Sequence, residues 1–115
     1  MKYTGSCHCQ AVKFEAELDL SEVIACNCSI CSRKGTLMAF TATTGFKLLT
    51  DESAMSDYVF NKHVIHHLFC KKCGIHAYGY GTSPKGEKMV SVNARCLDNV
   101  DVNALSVKYY DGRAL

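Results

Sequence analysis

The stretch Cys26-Asn27-Cys28-Ser29-Ile30-Cys31 places three thiols within six residues, and five further cysteines are spread through a chain of 115 residues. An apolar core has no need of sulfur at that density. Zinc is held by tetrahedral sets of thiolate or imidazole ligands, and closely spaced cysteines let one backbone turn present several sulfurs to one ion. Eight cysteines would also suit four disulfides in a small secreted protein. Against that, the leading residues Met1-Lys2-Tyr3-Thr4-Gly5 carry no apolar signal core, and the Cys-x-Cys and Cys-x-x-Cys spacings favour metal. The expected compartment is therefore the cytoplasm.

A chain of this length supports one hydrophobic core and is too short for two, so a single domain over 1–115 is expected. Its apolar runs are too short to span a bilayer. Thirteen basic and eleven acidic residues leave a formal net charge of +2, too little to attract nucleic acid at long range, and aromatic residues are not interleaved with basic ones. A small molecule is the expected partner, rather than nucleic acid or membrane. Arg33 and Lys34 follow one thiol cluster, and Lys71 and Lys72 sit inside another. They either offset the negative charge of a metal–thiolate centre or are ordinary solvated loop residues.

Val12, Phe14, Ala16 and Leu18 alternate with Lys13, Glu15 and Glu17, the period of a strand with one buried face. Short apolar runs over 23–25, 38–43, 46–49, 58–60, 64–69, 75–80, 89–93 and 105–110 are separated by turn residues, which predicts an all-β, mainly antiparallel fold. One helical turn is expected over 33–37, capped by Ser29 or Ser32. The Gly-rich stretch 79–86, with Pro84, reads as a hairpin connection or as a rim over a site. His8 is expected to be an exposed loop residue. His63, His66, His67 and His76 read as packing or surface residues, with His66 on the same side of its strand as Val64 and Leu68, and His63 and His67 on the other.

Cys7 with Cys9 and Cys70 with Cys73 make two pairs, which together would form a four-thiolate structural zinc site clipping distant segments. Gly74 permits the tight turn that such a Cys-x-x-Cys knuckle needs. Cys26, Cys28 and Cys31 then make a second site. Cys96 either completes its tetrahedron or is a spare, buried thiol. Three thiolates make zinc a weak Lewis acid for water, whereas an external thiol would bind as a fourth ligand and lose its proton.

With these motifs in view, the chain resembles the glutathione-dependent formaldehyde-activating enzyme family, which also includes centromere protein V. The resemblance is carried by Gly5-Ser6-Cys7-His8-Cys9, Cys26-Asn27-Cys28-Ser29-Ile30-Cys31, His67-Leu68-Phe69-Cys70-Lys71-Lys72-Cys73-Gly74, Val92-Asn93-Ala94-Arg95-Cys96-Leu97-Asp98 and Tyr110-Asp111-Gly112. It implies a zinc-binding β-tent of two sheets, a structural zinc on Cys7, Cys9, Cys70 and Cys73, and a functional zinc on Cys26, Cys28 and Cys31, hence two zinc ions per chain. The implied chemistry is a carbon–sulfur lyase reaction between glutathione, or a similar small thiol, and an aldehyde such as formaldehyde. The runner-up is a non-catalytic module with two zincs that binds a protein or nucleic acid. Thiol redox chemistry ranks last, because no βαβ pattern surrounds the Cys-x-x-Cys motif.

Overall fold

Repeated short apolar runs bury too little surface singly, so they hydrogen-bond into sheets whose apolar faces cover one another. The structure, a computed structural model, describes residues 1–60, 65–83 and 85–114. In chain order its elements are β1 (Lys2–Ser6), β2 (Lys13–Glu17), β3 (Val23–Cys26), the single-turn helix α1 (Cys31–Lys34), β4 (Met38–Ala42), β5 (Phe46–Leu48), β6 (Met55–Tyr58), β7 (His66–Cys70), β8 (Tyr78–Thr82), β9 (Lys88–Asn93) and β10 (Val107–Tyr110), with short 3-10 turns between them. A three-stranded sheet has the order β1-β2-β5, and a seven-stranded sheet the order β10-β3-β4-β9-β8-β7-β6. The fold is all-β with two mainly antiparallel sheets, as the sequence predicts.

The predicted alternation is realised in β2, where Phe14 and Ala16 are buried while Lys13 and Glu17 are exposed. Between the sheets, Phe14 of β2 stacks on Phe46 of β5 with ring centroids 5.5 Å apart, and Phe46 lies 4.4 Å from Tyr78 of β8. Aromatic contacts of this kind add about 0.5–1.5 kcal/mol each to the area they bury. Val12, Val23 and Val92 complete the deepest layer.

Several features depart from the sequence pattern or go beyond it. Residues 2–6 form β1, paired throughout with β2 from Lys2↔Glu17 to Ser6↔Lys13; the segment lacks clean alternation, and its order comes from its partner. β10 runs parallel to β3, with Tyr110 opposite Cys26. The segment 75–77 does not join β8 at once. Its carbonyls serve other groups: Ile75 accepts from Cys70 N–H at 3.0 Å and Ala77 from Asn93 N–H at 2.9 Å. Gly79 and Gly81 belong to β8, and beyond the strand Ser83 N–H reaches the Glu87 carbonyl at 2.7 Å. The expected strand over 58–60 is likewise displaced, to Met55–Tyr58. His63, Val64 and Pro84 lie outside the described residues.

The helical turn also starts earlier than expected. Neither Ser29 nor Ser32 caps it; Ile30 occupies the N-cap position with no side-chain bond. Gly35 ends the helix at φ 69°, donating its N–H to the Cys31 carbonyl at 3.0 Å, the left-handed stop that glycine adopts without steric cost. The helix is therefore set by its two ends, a cysteine entering and a glycine leaving.

Candidate metal centres

The turn after β1 carries Cys7 and Cys9, and the end of β7 carries Cys70 with Cys73 in the knuckle behind it. The fold brings these four sulfurs within 4.8 Å of one another. Cys7 Sγ and Cys9 Sγ are 3.7 Å apart, and Cys9 Sγ and Cys70 Sγ 3.6 Å. Sulfurs at about 2.3 Å from a tetrahedral ion stand about 3.8 Å from each other, so these spacings fit a four-thiolate zinc set. They are much too long for a disulfide. Backbone N–H groups point at the sulfurs: Val12 donates to Cys7 at 3.4 Å, and Lys72 and Cys73 donate to Cys70 at 3.3 and 3.5 Å. The Cys73 and Lys72 N–H bonds hold the Cys70 thiol below its usual range, favouring the ionised form that metal requires.

The second set lies where β3 ends and α1 begins. Cys26, Cys28 and Cys31 also have their sulfurs within 4.8 Å of one another, and among the described residues no fourth cysteine, histidine or carboxylate completes the set. Cys28 N–H donates to Cys26 Sγ at 3.4 Å. Burial pushes the Cys31 thiol up to about 12, helped by the bond and charge of Cys28, whereas Cys28 itself is lowered: burial opposes its thiolate, and the N–H groups of Cys31 and Ile30 outweigh it. Cys96 joins neither set. Its thiol donates to the His76 carbonyl at 3.8 Å, and the thiols that bear on its charge are Cys7 and Cys73.

The three-cysteine loop is anchored on one side by the segment that follows β10. Asn27 donates through Nδ2 to Asp111 Oδ1 at 2.9 Å and accepts Arg113 N–H on Oδ1 at 3.0 Å, while its own N–H reaches the Tyr110 carbonyl at 3.2 Å. A Cβ on Gly112 would stand 2.5 Å from Cys26 Sγ, so glycine is required there by close approach to the sulfur. Beyond the loop, Arg95 Nε donates to the Gly35 carbonyl at 3.1 Å, and Asn93 Nδ2 to the His76 carbonyl at 2.9 Å.

Three cavities border this loop; one, of about 660 Å³, is lined by Cys26, Asn27 and Cys31 with Arg95, Tyr110 and Asp111, and the other two share a wall. One of these two, of about 510 Å³, is lined by all three cysteines and by apolar side chains of β3, β4 and β9. The other, of about 790 Å³, includes Thr36, Asn93, Arg95 and Asp98. Ile30, Lys34, His67 and His76 line both. Lys34 Nζ is 3.3 Å from His67 Nδ1, and its pKa is lowered by burial against the pull of Cys31 and Cys28. Burial and the Lys34 charge push His67 and His76 down to about 4, so both rings are neutral near pH 7. The His76 Nδ1 lies 2.7 Å from the Leu68 carbonyl, which only accepts, so Nδ1 carries the proton and Nε2 is the basic nitrogen. His8 is exposed, as expected, and His66 is engaged by Asp57 at 2.5 Å and stacked on Tyr80. Arg33 bonds the Ser29 carbonyl at 2.6 Å, and Lys71 and Lys72 are exposed; of the four flanking cations, Lys34 is the one whose charge reaches the thiols.

An all-β scaffold carrying one four-thiol and one three-thiol cluster defines a cysteine-rich metal-site class. The chain belongs to the glutathione-dependent formaldehyde-activating enzyme family, whose pattern it matches over residues 2–111. A crystal structure of a Rhodobacter sphaeroides protein has the same fold, with a TM-score of 0.82 at 25% sequence identity, covering 93% of this chain and 99% of that one. Among the described residues no helix is long and apolar enough to cross a membrane.

Proposed function

We propose that this chain is a single-domain, cytoplasmic carbon–sulfur lyase with two zinc ions, one structural on Cys7, Cys9, Cys70 and Cys73 and one functional on Cys26, Cys28 and Cys31, acting on the adduct of glutathione, or a similar small thiol, with an aldehyde. The observation that carries this reading is the difference between the clusters: four sulfurs close one, while three sulfurs face a cavity in the other. Zinc bound to the three-cysteine set would supply a position at which a thiol sulfur is ionised and fixed.

The chain's own residues account for the remaining requirements. Cleavage of a thiol–CH(R)–OH adduct breaks the carbon–sulfur bond, leaves the electron pair on sulfur, and releases the hydroxyl proton as the carbonyl forms. Lys34, half-buried beside Cys28 and Cys31, places a positive charge next to the departing thiolate. His76, neutral and with Nε2 unprotonated, lines the cavity as an acceptor for the hydroxyl proton. His67, whose Nδ1 faces Lys34, orients the lysine.

Zinc-edge absorption spectra of the loaded protein with and without glutathione test the reading. An added sulfur neighbour at one of two zincs is the expected result, accompanied by carbon–sulfur exchange between glutathione and a labelled aldehyde in NMR. An unchanged sulfur count together with no exchange would overturn it.

A further inference from the structure

We propose that the cavity on which Cys26, Cys28 and Cys31 open receives the aldehyde-derived half of the adduct, and that this half is a bulky apolar chain or ring rather than the single carbon of formaldehyde. This rests on the adduct chemistry above and names the substrate class that chemistry serves here.

The floor of the cavity is the outer face of the seven-stranded sheet. Phe40, Ser91 and Gly79 lie opposite one another across β4, β9 and β8, and Ala42, Met89 and Gly81 form the next row on the same face. Glycine at 79 and 81 lets neighbouring groups settle onto β8, since a Cβ at 79 would strike the His66 carbonyl and one at 81 would meet Ile65 Cγ1 at 3.3 Å. The walls of the cavity are apolar: Ile24, Met38, Phe40, Ile65, Met89 and Tyr110 line it, and among the described lining residues Lys34 is the one lysine or arginine and there is no carboxylate. Phe40 is 45%, Tyr110 48% and Ile65 56% exposed, so the free protein holds large apolar side chains against water around its reactive thiols.

A volume of about 510 Å³ lies in the range of pockets that enclose whole small molecules. A hydroxymethyl group would fill a small part of it and bring no apolar surface to the wall. The peptide half of glutathione, with two carboxylates and an ammonium, finds little to pair with there. It matches the adjoining cavity of about 790 Å³, where Arg95, Asn93, Thr36 and Asp98 stand beyond Lys34. The wall shared by the two cavities, Ile30 with Lys34, His67 and His76, then marks where the adduct passes from its charged half to its apolar half.

Isothermal titration of the zinc-loaded full chain with S-methyl-, S-butyl- and S-hexylglutathione, stable thioether mimics of the adduct, tests the inference. Affinity should rise about fourfold for each methylene buried, until the wall is covered. Met89→Gln and Phe40→Ser, with folding verified by circular dichroism, should flatten the series. Equal affinity across the series overturns the inference and leaves the glutathione reading in place. If no conjugate binds, ethanethiol and hexanethiol decide. A chain-length preference that Met89→Gln flattens supports the apolar cavity and removes glutathione, and no preference overturns both.

Discussion

Asn27 shows how far one polar side chain can act in a site built of sulfur. It stands between two cysteines of the three-thiol loop, and both ends of its amide are used by the segment after β10: Asp111 takes the donor and Arg113 N–H the acceptor. The partners lie 84 and 86 positions away in sequence, so nothing local in Cys26-Asn27-Cys28 announces the role. The Tyr110-Asp111-Gly112 motif was visible, but its purpose is legible only once β10 is seen to lie beside β3. Because partners that orient ligands typically contribute about 10–100-fold to metal affinity, Asn27→Ala should weaken zinc binding at one site by that order. Stability should change little, since the residue is exposed. Competition with a chromophoric chelator measures the affinity, and an unaltered release profile would remove Asn27 from the positioning machinery.

Strands with a clear period of two, such as β2 and β9, could be read from the sequence because burial on one face dictates the pattern. β1 could not, since Lys2-Tyr3-Thr4-Gly5-Ser6 owes its extension to pairing with β2. The parallel partnership of β3 and β10 was equally hidden, because it joins the chain's final strand to an early one. The cysteine pairing could be read, and it states which element matters most for stability. Cys70 is buried at the end of β7, and its sulfur meets that of Cys9, 61 residues earlier, across the gap between the two sheets. Cys28 is half-buried in a local loop whose other thiols are its near neighbours. Structural zinc binding in small domains is worth on the order of 10 kcal/mol, comparable with a whole domain's stability of about 5–15 kcal/mol. Cys70→Ser should therefore leave the chain largely unfolded, whereas Cys28→Ser should lower the melting temperature by a few degrees. Melting curves followed by circular dichroism check this, and similar midpoints for the two variants would count against the clip.

For the molecule as a whole, seven of the eight cysteines fall into two sets, and what the eighth does decides between an enzyme and a scaffold. The sequence left Cys96 open, either as the fourth ligand of the three-thiol set or as a spare, buried thiol. In the fold it is turned away from the three-thiol loop, held by the His76 carbonyl and close enough to Cys7 and Cys73 to sense their charge. What keeps it out of both sets is position: its sulfur lies outside either group, and its S–H is engaged by the His76 carbonyl. The full chain should accordingly bind two zinc ions, and Cys96→Ala should retain both, because the variant removes a thiol that neither set uses. The loss expected is the modest one of a small packing group. Inductively coupled plasma mass spectrometry after graded chelator challenge gives the count. If Cys96→Ala lost one equivalent, the three-thiol set would need a fourth protein sulfur, no position would be left for an external thiol, and the lyase reading would fall with it.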